Sequence, residues 1–190
     1  MVSAIVQGSS HLEMDPDQIL VDRVLRGESN SFDTLYRRYY EKVYSIARSV
    51  LGDADDAADA VQEVFTLVHK NLHRFNRTSK FSTWIFRIAV NGSIQQARKL
   101  KFKNRQTELK ETTVSVDQSE DQPPHDPKID IAMSAIGPAD RALLAMFYWE
   151  ELPLNEIADA MSCSPNAAKT RLYRARERFR AAYEGAESDE

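Results

Sequence analysis

The chain has one cysteine, Cys163, in 190 residues. A lone thiol excludes a disulfide framework and a multi-cysteine zinc site, and it makes a reduced, cytoplasmic setting the default. No apolar run approaches the roughly 20 residues that cross a bilayer, so no membrane insertion is expected. The N-terminus, MVSAIVQGSSHLEM, lacks a positively charged leader and has only a short apolar patch, which argues against a secretory signal. Met14 is a second candidate start, and residues 1–14 read as a tail. Apolar–polar alternation of useful length is missing, as is any internal repeat, so strands are not expected. An excess of positive charge is also missing: the formal net charge is −4. That total hides local clusters, and distribution matters more than the sum. Arg98, Lys99, Lys101, Lys103 and Arg105 form one basic cluster, and the cations between 169 and 180 form another. Acids gather at 53–63, at 117–130 and in the C-terminal tail.

What is present is helical periodicity, in two blocks. Asp15 caps a first helix, with Pro16 at its first position and Gly27 just beyond its end. Asn30 or Ser31 is expected to cap a second, with Phe32, Leu35, Tyr36, Tyr39, Val43, Ile46 and Val50 as its apolar stripe and Gly52 as its close. Asp53 begins a third helix to about Phe75, and Ser82 is expected to cap a fourth to about Lys101. From about Gln106 to Pro127 the periodicity stops; Pro123, Pro124 and Pro127 sit among acids, Ser and Thr, the composition of a flexible linker. A short helix near Ile129–Ile136 follows, then one opened by Gly137-Pro138 and running to about Tyr148. The expected fold is therefore all-α: two small helical domains, 15–105 and 128–183, joined by a linker at 106–127 and followed by an acidic tail at 184–190.

The stretch LPLNEIADAMSCSPNAAKTRLYRARERFR, 152–180, reads as a short helix, a tight turn and a longer basic helix. Ser164 is a good N-cap and Pro165 suits the first helical position. Ala168, Leu172, Ala175 and Phe179 form one apolar stripe. Asn166, Thr170 and Tyr173 project to the opposite side, flanked by Lys169 and Arg174, while Arg171 and Arg176 fall nearer the packed side. One packed face, one polar face and basic flanks describe a helix-turn-helix recognition helix. The competing description is a solvated charged helix at a domain end.

The third helix opens with DADDAADAVQEVF, 53–65. Ala57, Val61, Val64, Phe65, Val68 and Leu72 share one side, while Asp56, Asp59 and Glu63 share the other. Like charges on one face repel by a few tenths of a kcal/mol per pair, partly offset by the helix N-terminus. Such a face is either solvated or docks a basic partner, with Gln62 beside the acids. Asp55-Asp56-Ala57-Ala58-Asp59 also matches D-D-x-x-D, a pattern that holds magnesium and a diphosphate in isoprenoid-type synthases. No second acidic motif accompanies it, so the match lacks its confirming context. His69 and His73 have i, i+4 metal-ligand spacing but no third ligand. No metal or cofactor, and no catalytic residue, is expected.

The fourth helix and its approach, residues 74–101, mix aromatics, cations and amides. Trp84, Ile85, Ile88 and Ala89 can pack; Arg87, Asn91, Gln95 and Arg98 share neighbouring surface; Phe75, Asn76, Arg77, Thr78 and Lys80 form a polar loop with one aromatic. Cations hold phosphates, aromatics stack on bases and amides read exposed edges, so this surface suits single-stranded nucleic acid. The plainer alternative is that Phe81 and Trp84 are simply core.

These three segments, in this order, resemble the extracytoplasmic-function sigma factors of bacterial RNA polymerase, over about residues 15–183. DAADAVQEVF is similar to the family's D-A-x-D-x-x-Q-E-x-F segment, FSTWIFRIAVN to its F-x-x-W-[LI]-x-R-I-A-x-N segment, and EIADAMSCSPNAAKTRLYRAR to its −35 reader. Ala58 stands where many members have an acid, and Ala167 and Ala168 stand where Thr and Val are usual. The resemblance implies a promoter-specificity subunit rather than an enzyme. It implies that Asp56, Asp59, Gln62 and Glu63 dock on core polymerase. Phe75, Asn76, Lys80, Trp84, Arg87, Asn91, Gln95 and Arg98 would take the −10 strand. Ser164, Asn166, Lys169, Thr170, Arg171, Tyr173, Arg174 and Arg176 would meet the −35 duplex. It further implies promoter DNA and an anti-sigma factor as partners. An alternative from another class is a helix-turn-helix regulator with a sensory or dimerisation bundle, which would share the C-terminal features but leave the acid stripe unexplained.

Overall fold

The computed structural model describes residues 15–107 and 126–187, and among these it contains helices and no strand. The first half holds α1 (Pro16–Leu25), α2 (Ser29–Leu51), α3 (Ala54–Asn71), a 3-10 turn at Leu72–Arg74, and α4 (Phe81–Thr107). The second half holds α5 (Pro127–Ala135), α6 (Pro138–Tyr148), α7 (Leu154–Ala160) and α8 (Pro165–Glu187).

Local chemistry accounts for most of the boundaries. The Asp15 carboxylate accepts from the Asp17 N–H, 3.0 Å away, with Pro16 behind it at the first position. Gly52 closes α2 in the left-handed region at φ 82°, donating its N–H to the Arg48 carbonyl. Asp53 caps α3 by accepting from the Asp56 N–H at 2.8 Å. Asp126 caps α5, and Gly137-Pro138 opens α6.

Two starts differ from the expected ones. α2 begins at Ser29 after Glu28, which makes no side-chain cap, and Ser31 lies buried within the helix. α4 begins at Phe81, so Ser82 is inside the helix and Lys80 precedes it, its carbonyl accepting from the Trp84 N–H. Phe81 is completely buried against Phe75, Tyr39 and Trp84. Burying an aromatic ring outweighs the roughly 1 kcal/mol a serine cap offers. α4 also runs past Lys101, and Gln106 and Thr107 are still helical. The expected N-terminal tail, the bulk of the expected linker (108–125) and residues 188–190 lie outside the described residues.

α2 is the central element, packed on α1, α3 and α4, and also on α6 of the second half. α8 packs on α5, α6 and α7. Buried apolar residues from both halves, including Val43, Val64, Phe86, Leu143 and Ile157, form one contiguous cluster. The halves are therefore in contact, through α2 with α6 and α4 with α7. Arg141 reinforces the contact: its part-buried guanidinium donates to the carbonyls of Ile136 (3.1 Å), Ser134 (2.7 Å) and, across the junction, Val50 (3.0 Å). Burial lowers its pKa from the usual arginine value. At the other end, the buried Asp17 carboxylate accepts from the Tyr39 hydroxyl and Arg38, tying α1 to α2. Burial, then this hydrogen bond, pushes the Tyr39 phenol far above its ordinary range.

Candidate nucleic-acid interface

α8 has the two-faced layout its sequence predicts. Ala168, Leu172 and Ala175 are buried, while Asn166, Lys169, Thr170, Arg171, Tyr173 and Arg174 are exposed. The Ser164 hydroxyl accepts from the Ala167 N–H at 3.2 Å, so Ser164 serves as the cap of this helix. The Thr170 hydroxyl donates to the Asn166 carbonyl at 3.0 Å. Lys169, Arg171 and Arg174 form no ion pair with any described residue, which leaves three cations on the open side. Tyr173 is 64% exposed, an unusual setting for an aromatic ring.

Arg171 and Arg176 part company. Arg171 is exposed, not near the packed side as expected. Arg176 is part-buried, its guanidinium 4.9 Å from the Phe147 ring centre and 5.4 Å from that of Tyr148. Its Nε is buried with no hydrogen-bond partner among the described residues. Arg176 therefore braces α8 against the end of α6. Arg178 adds a second brace, pairing with Asp140 at 2.6 Å. Arg176→Ala is expected to cost roughly 0.5–2 kcal/mol of stability, the range for a cation over an aromatic face. Denaturant titration measures that loss; a variant as stable as wild type but weakened on duplex DNA would return Arg176 to the DNA surface.

On α3, Asp59, Gln62 and Glu63 are exposed, opposite the buried Ala57, Val61, Val64 and Val68. Asp56 is part-buried; desolvation first, then Asp53, Asp59 and Asp55, raise its carboxyl above the usual range, with Lys103 opposing. Asp59 and Glu63 line a groove of about 350 Å³ between α3 and α4, together with Leu67, Gly92, Gln95, Gln96, Lys99, Leu100 and Lys103. Gln95, exposed on α4, therefore lies beside the acids of α3. Gly92 faces Val64 across this junction, where an added Cβ would make an ordinary contact at 3.6 Å. The lysines in the groove were not anticipated from sequence, where they belonged to a different helix. Among the described residues, no group of three or more His, Cys, Asp or Glu is arranged to hold a metal. His69 sits edge-on to Phe32 instead.

The loop before α4 is ordered by its own polar groups. Asn76 accepts through its side-chain oxygen from the Thr78 hydroxyl (2.8 Å) and N–H (3.3 Å), and Arg77 pairs with Asp22 on α1. Phe75 is buried, packed against Phe81 and Trp84, so its ring has no open face in this conformation. Trp84 is part-buried above the same cluster. Asn91 and Arg98 are exposed along α4. Lys80 and Arg87 are engaged by α7: Lys80 Nζ lies 2.6 Å from Glu156 Oε1, and Arg87 donates twice to the Asp159 carbonyl, at 3.0 and 2.7 Å. The Glu156 hydrogen bond and charge raise the Lys80 ammonium pKa. No local pattern pointed to these pairings, which span 76 and 72 residues.

Family comparison places this arrangement in a class. Residues 35–103 match the model for Sigma-70 region 2, and residues 129–179 match that for Sigma-70 region 4. The two matches cover the helical halves on either side of residues 108–125: the protein has the two-part construction of sigma-70-type transcription factors. Within that class it belongs to the extracytoplasmic-function (ECF) sigma factors. It is 30% identical over 171 residues to ECF RNA polymerase sigma factor SigM of Bacillus subtilis, covering 84% of this chain and 99% of the relative. It is 27% identical over 173 residues to SigW of the same organism, covering 84% and 92%. The RNA polymerase sigma-H factor of Pseudomonas aeruginosa is 29% identical over 192 residues, covering 87% and 93%. Among solved structures, CnrH in complex with the cytosolic domain of CnrY shares the fold at a TM-score of 0.66 and 20% identity, covering 90% of this chain and 99% of that one. The sigma factor RpoE in complex with the anti-sigma factor NepR from Bartonella quintana does so at 0.66 and 18%, covering 80% and 96%. The chain is a sigma factor, and a helix-turn-helix regulator acting apart from polymerase is not favoured.

Proposed function

We propose that this sigma factor docks on core RNA polymerase through Asp56, Asp59, Gln62 and Glu63, captures the displaced −10 strand with α4 and its approach, and reads the −35 duplex with α8. The observation that carries the reading is the exposed polar–cationic side of α8, backed by a buried apolar stripe. A rigid helix presenting Asn166, Lys169, Thr170, Tyr173 and Arg174 to one side fits a major groove, and its cations fit the flanking phosphates. Strand opening costs base unstacking, and a surface that holds an extruded base offsets part of that cost. Asn91 supplies donor and acceptor for a base edge, Arg98 a phosphate contact, and Trp84 an aromatic face. The protein performs no catalysis itself and works in the cytoplasm, where polymerase is. Among the described residues no helix is long and apolar enough to cross a membrane. An anti-sigma factor is the expected regulator, a reading supported by the complex in which RpoE was solved.

Run-off transcription with core enzyme on a promoter library tests the whole reading: transcripts should start downstream of a shared pair of elements. Lack of co-elution with core polymerase would overturn it. Asn91→Ala tests the strand-capture part. It should reduce open-complex formation by about tenfold, the worth of one or two hydrogen bonds, while sparing binding to core enzyme and to −35 duplex. Equal loss on a pre-melted template identifies base recognition, and recovery there identifies melting. No loss on either template would remove Asn91 from the site.

A further inference from the structure

The loop that leads into α4 is held from outside its own sequence. Phe75 fixes one end of it in the aromatic cluster, and Phe81, the first residue of α4, fixes the other. Between them Arg77 stands in the left-handed region, at φ 60°. Residues with a β-carbon seldom adopt that conformation, and arginine lacks the short polar side chain that eases asparagine into it. The turn at Arg77 folds Thr78 back over Asn76, so the Asn76 side-chain oxygen accepts from both the Thr78 hydroxyl, at 2.8 Å, and its N–H, at 3.3 Å. The Arg77 guanidinium reaches away to α1, where it donates to the part-buried carboxylate of Asp22, 55 positions earlier in the chain. α1 also packs against the 3-10 turn just before the loop. The Arg77 cation is thereby spent inside the protein rather than on a phosphate. Asn76 is exposed, and with its oxygen engaged twice it has the N–H donors of its amide left to offer outward.

We propose that Arg77 is a positioning residue for base selection: its pair with Asp22 holds the loop in the turn that makes Asn76 a donor, so the loop accepts guanine or thymine over adenine or cytosine. This rests on the assignment of α4 and its approach to the displaced strand made above. Guanine O6 and thymine O4 are acceptors, whereas the adenine N6 and cytosine N4 amino groups are donors. A fixed donor set against an amino group leaves both without a partner, which costs more than one hydrogen bond gains. Once the pair is broken, residue 77 can relax to the ordinary backbone region and Thr78 can leave Asn76. The freed amide then turns either its oxygen or its nitrogen outward and reads both kinds of base. The pair therefore controls preference, not overall grip on the strand. It is an exposed ion pair, so the effect is modest.

The test uses holoenzyme assembled from the full chain and core polymerase. It is titrated with single-stranded −10 oligonucleotides carrying each base, or no base, at each position in turn. Wild type should prefer guanine or thymine at one position. Asp22→Ala and Arg77→Ala should each lower that preference roughly 3–5-fold, the scale of one exposed ion pair, and leave affinity for the strand abasic at that position unchanged. The double variant should lose no more than either single one, because both remove the same contact. Exchanging the pair, Asp22→Arg with Arg77→Asp, should restore the preference, which a general weakening of the fold would not allow; aspartate also tolerates the left-handed region. Unchanged preference in Asp22→Ala would overturn the positioning role. So would an Arg77→Ala variant that weakens every strand alike, the abasic one included, while Asp22→Ala weakens none, since Arg77 would then be a phosphate contact. A wild-type preference for adenine or cytosine, or a preference that survives Asn76→Ala, would overturn base reading by Asn76; if Asn91→Ala still lowers strand affinity, the strand assignment stands. Holoenzyme that binds no strand more tightly than core alone would remove the strand assignment and the positioning role with it.

Discussion

Reversing Asp59 and Glu63 to lysine should weaken binding to core polymerase by roughly 3–5 kcal/mol, the scale of like charges forced together at an interface. Both side chains are exposed on α3, one turn apart, on the side opposite the buried Val61, Val64 and Val68. They are set back from the helix start at Ala54, so the macrodipole contributes little to them and folding should be nearly unaffected. The reversal also places new lysines in the α3–α4 groove that already holds Lys99 and Lys103. That adds repulsion within the protein, on the order of a few tenths of a kcal/mol per exposed pair, far below the expected loss of docking. The effect should shrink with added salt, because rim charges are screened over about 8 Å at physiological ionic strength. Titration of labelled core enzyme at several salt concentrations, with thermal unfolding as a folding control, measures it. A folded double variant that binds core as tightly as wild type would refute the docking assignment.

What could be read from the sequence, and what could not, follows from how far apart the cooperating residues are. The caps at Asp15, Asp53 and Ser164 and the left-handed close at Gly52 are local, each settled within four residues. The stripe on α8 is also local, because helical periodicity alone separates Ala168, Leu172 and Ala175 from the exposed side. The start of α4 was misread because Ser82 satisfies a local rule, while Phe81 satisfies a tertiary one by filling the space between Tyr39, Phe75 and Trp84. The same cluster explains why Phe75, expected to meet a base, is buried. Helical spacing puts Arg176 nearer the packed side of α8, but does not reveal its partners Phe147 and Tyr148, nearly thirty residues away. The contact between the two halves was illegible for the strongest version of this reason. Its contacts join residues 72 to 91 positions apart, and no pattern within a helix encodes them.

The recognition helix carries the second large expectation. Lys169, Thr170 and Arg174 are exposed on the open side of α8, and no ion pair with another described residue holds the two cations elsewhere. Replacing a residue that reads a base edge should cost roughly 1–3 kcal/mol and relax preference at one −35 position. Replacing a phosphate contact should weaken every sequence alike and reduce the salt slope by about one unit, because one fewer counterion is released. The geometry separates the three. Thr170 spends its hydroxyl hydrogen on the Asn166 carbonyl, so toward DNA it offers acceptor lone pairs and a methyl group. Those suit a cytosine amino group or a thymine methyl, and Thr170→Ala should act on preference without changing the salt slope. Arg174 can fork onto guanine or a phosphate, and Lys169 can make a point contact with either. Arg178 and Arg176 are committed to Asp140 and to the Phe147–Tyr148 pair, so they should contribute less to the salt slope than Lys169 and Arg174. Titrations of Lys169→Ala, Thr170→Ala and Arg174→Ala against wild-type and singly substituted −35 duplexes, each at several salt concentrations, sort the residues into the two classes. If none of the three changes affinity, preference or slope, α8 is not the DNA reader, and the exposed Tyr173 and its cationic neighbours would have to serve a protein partner instead.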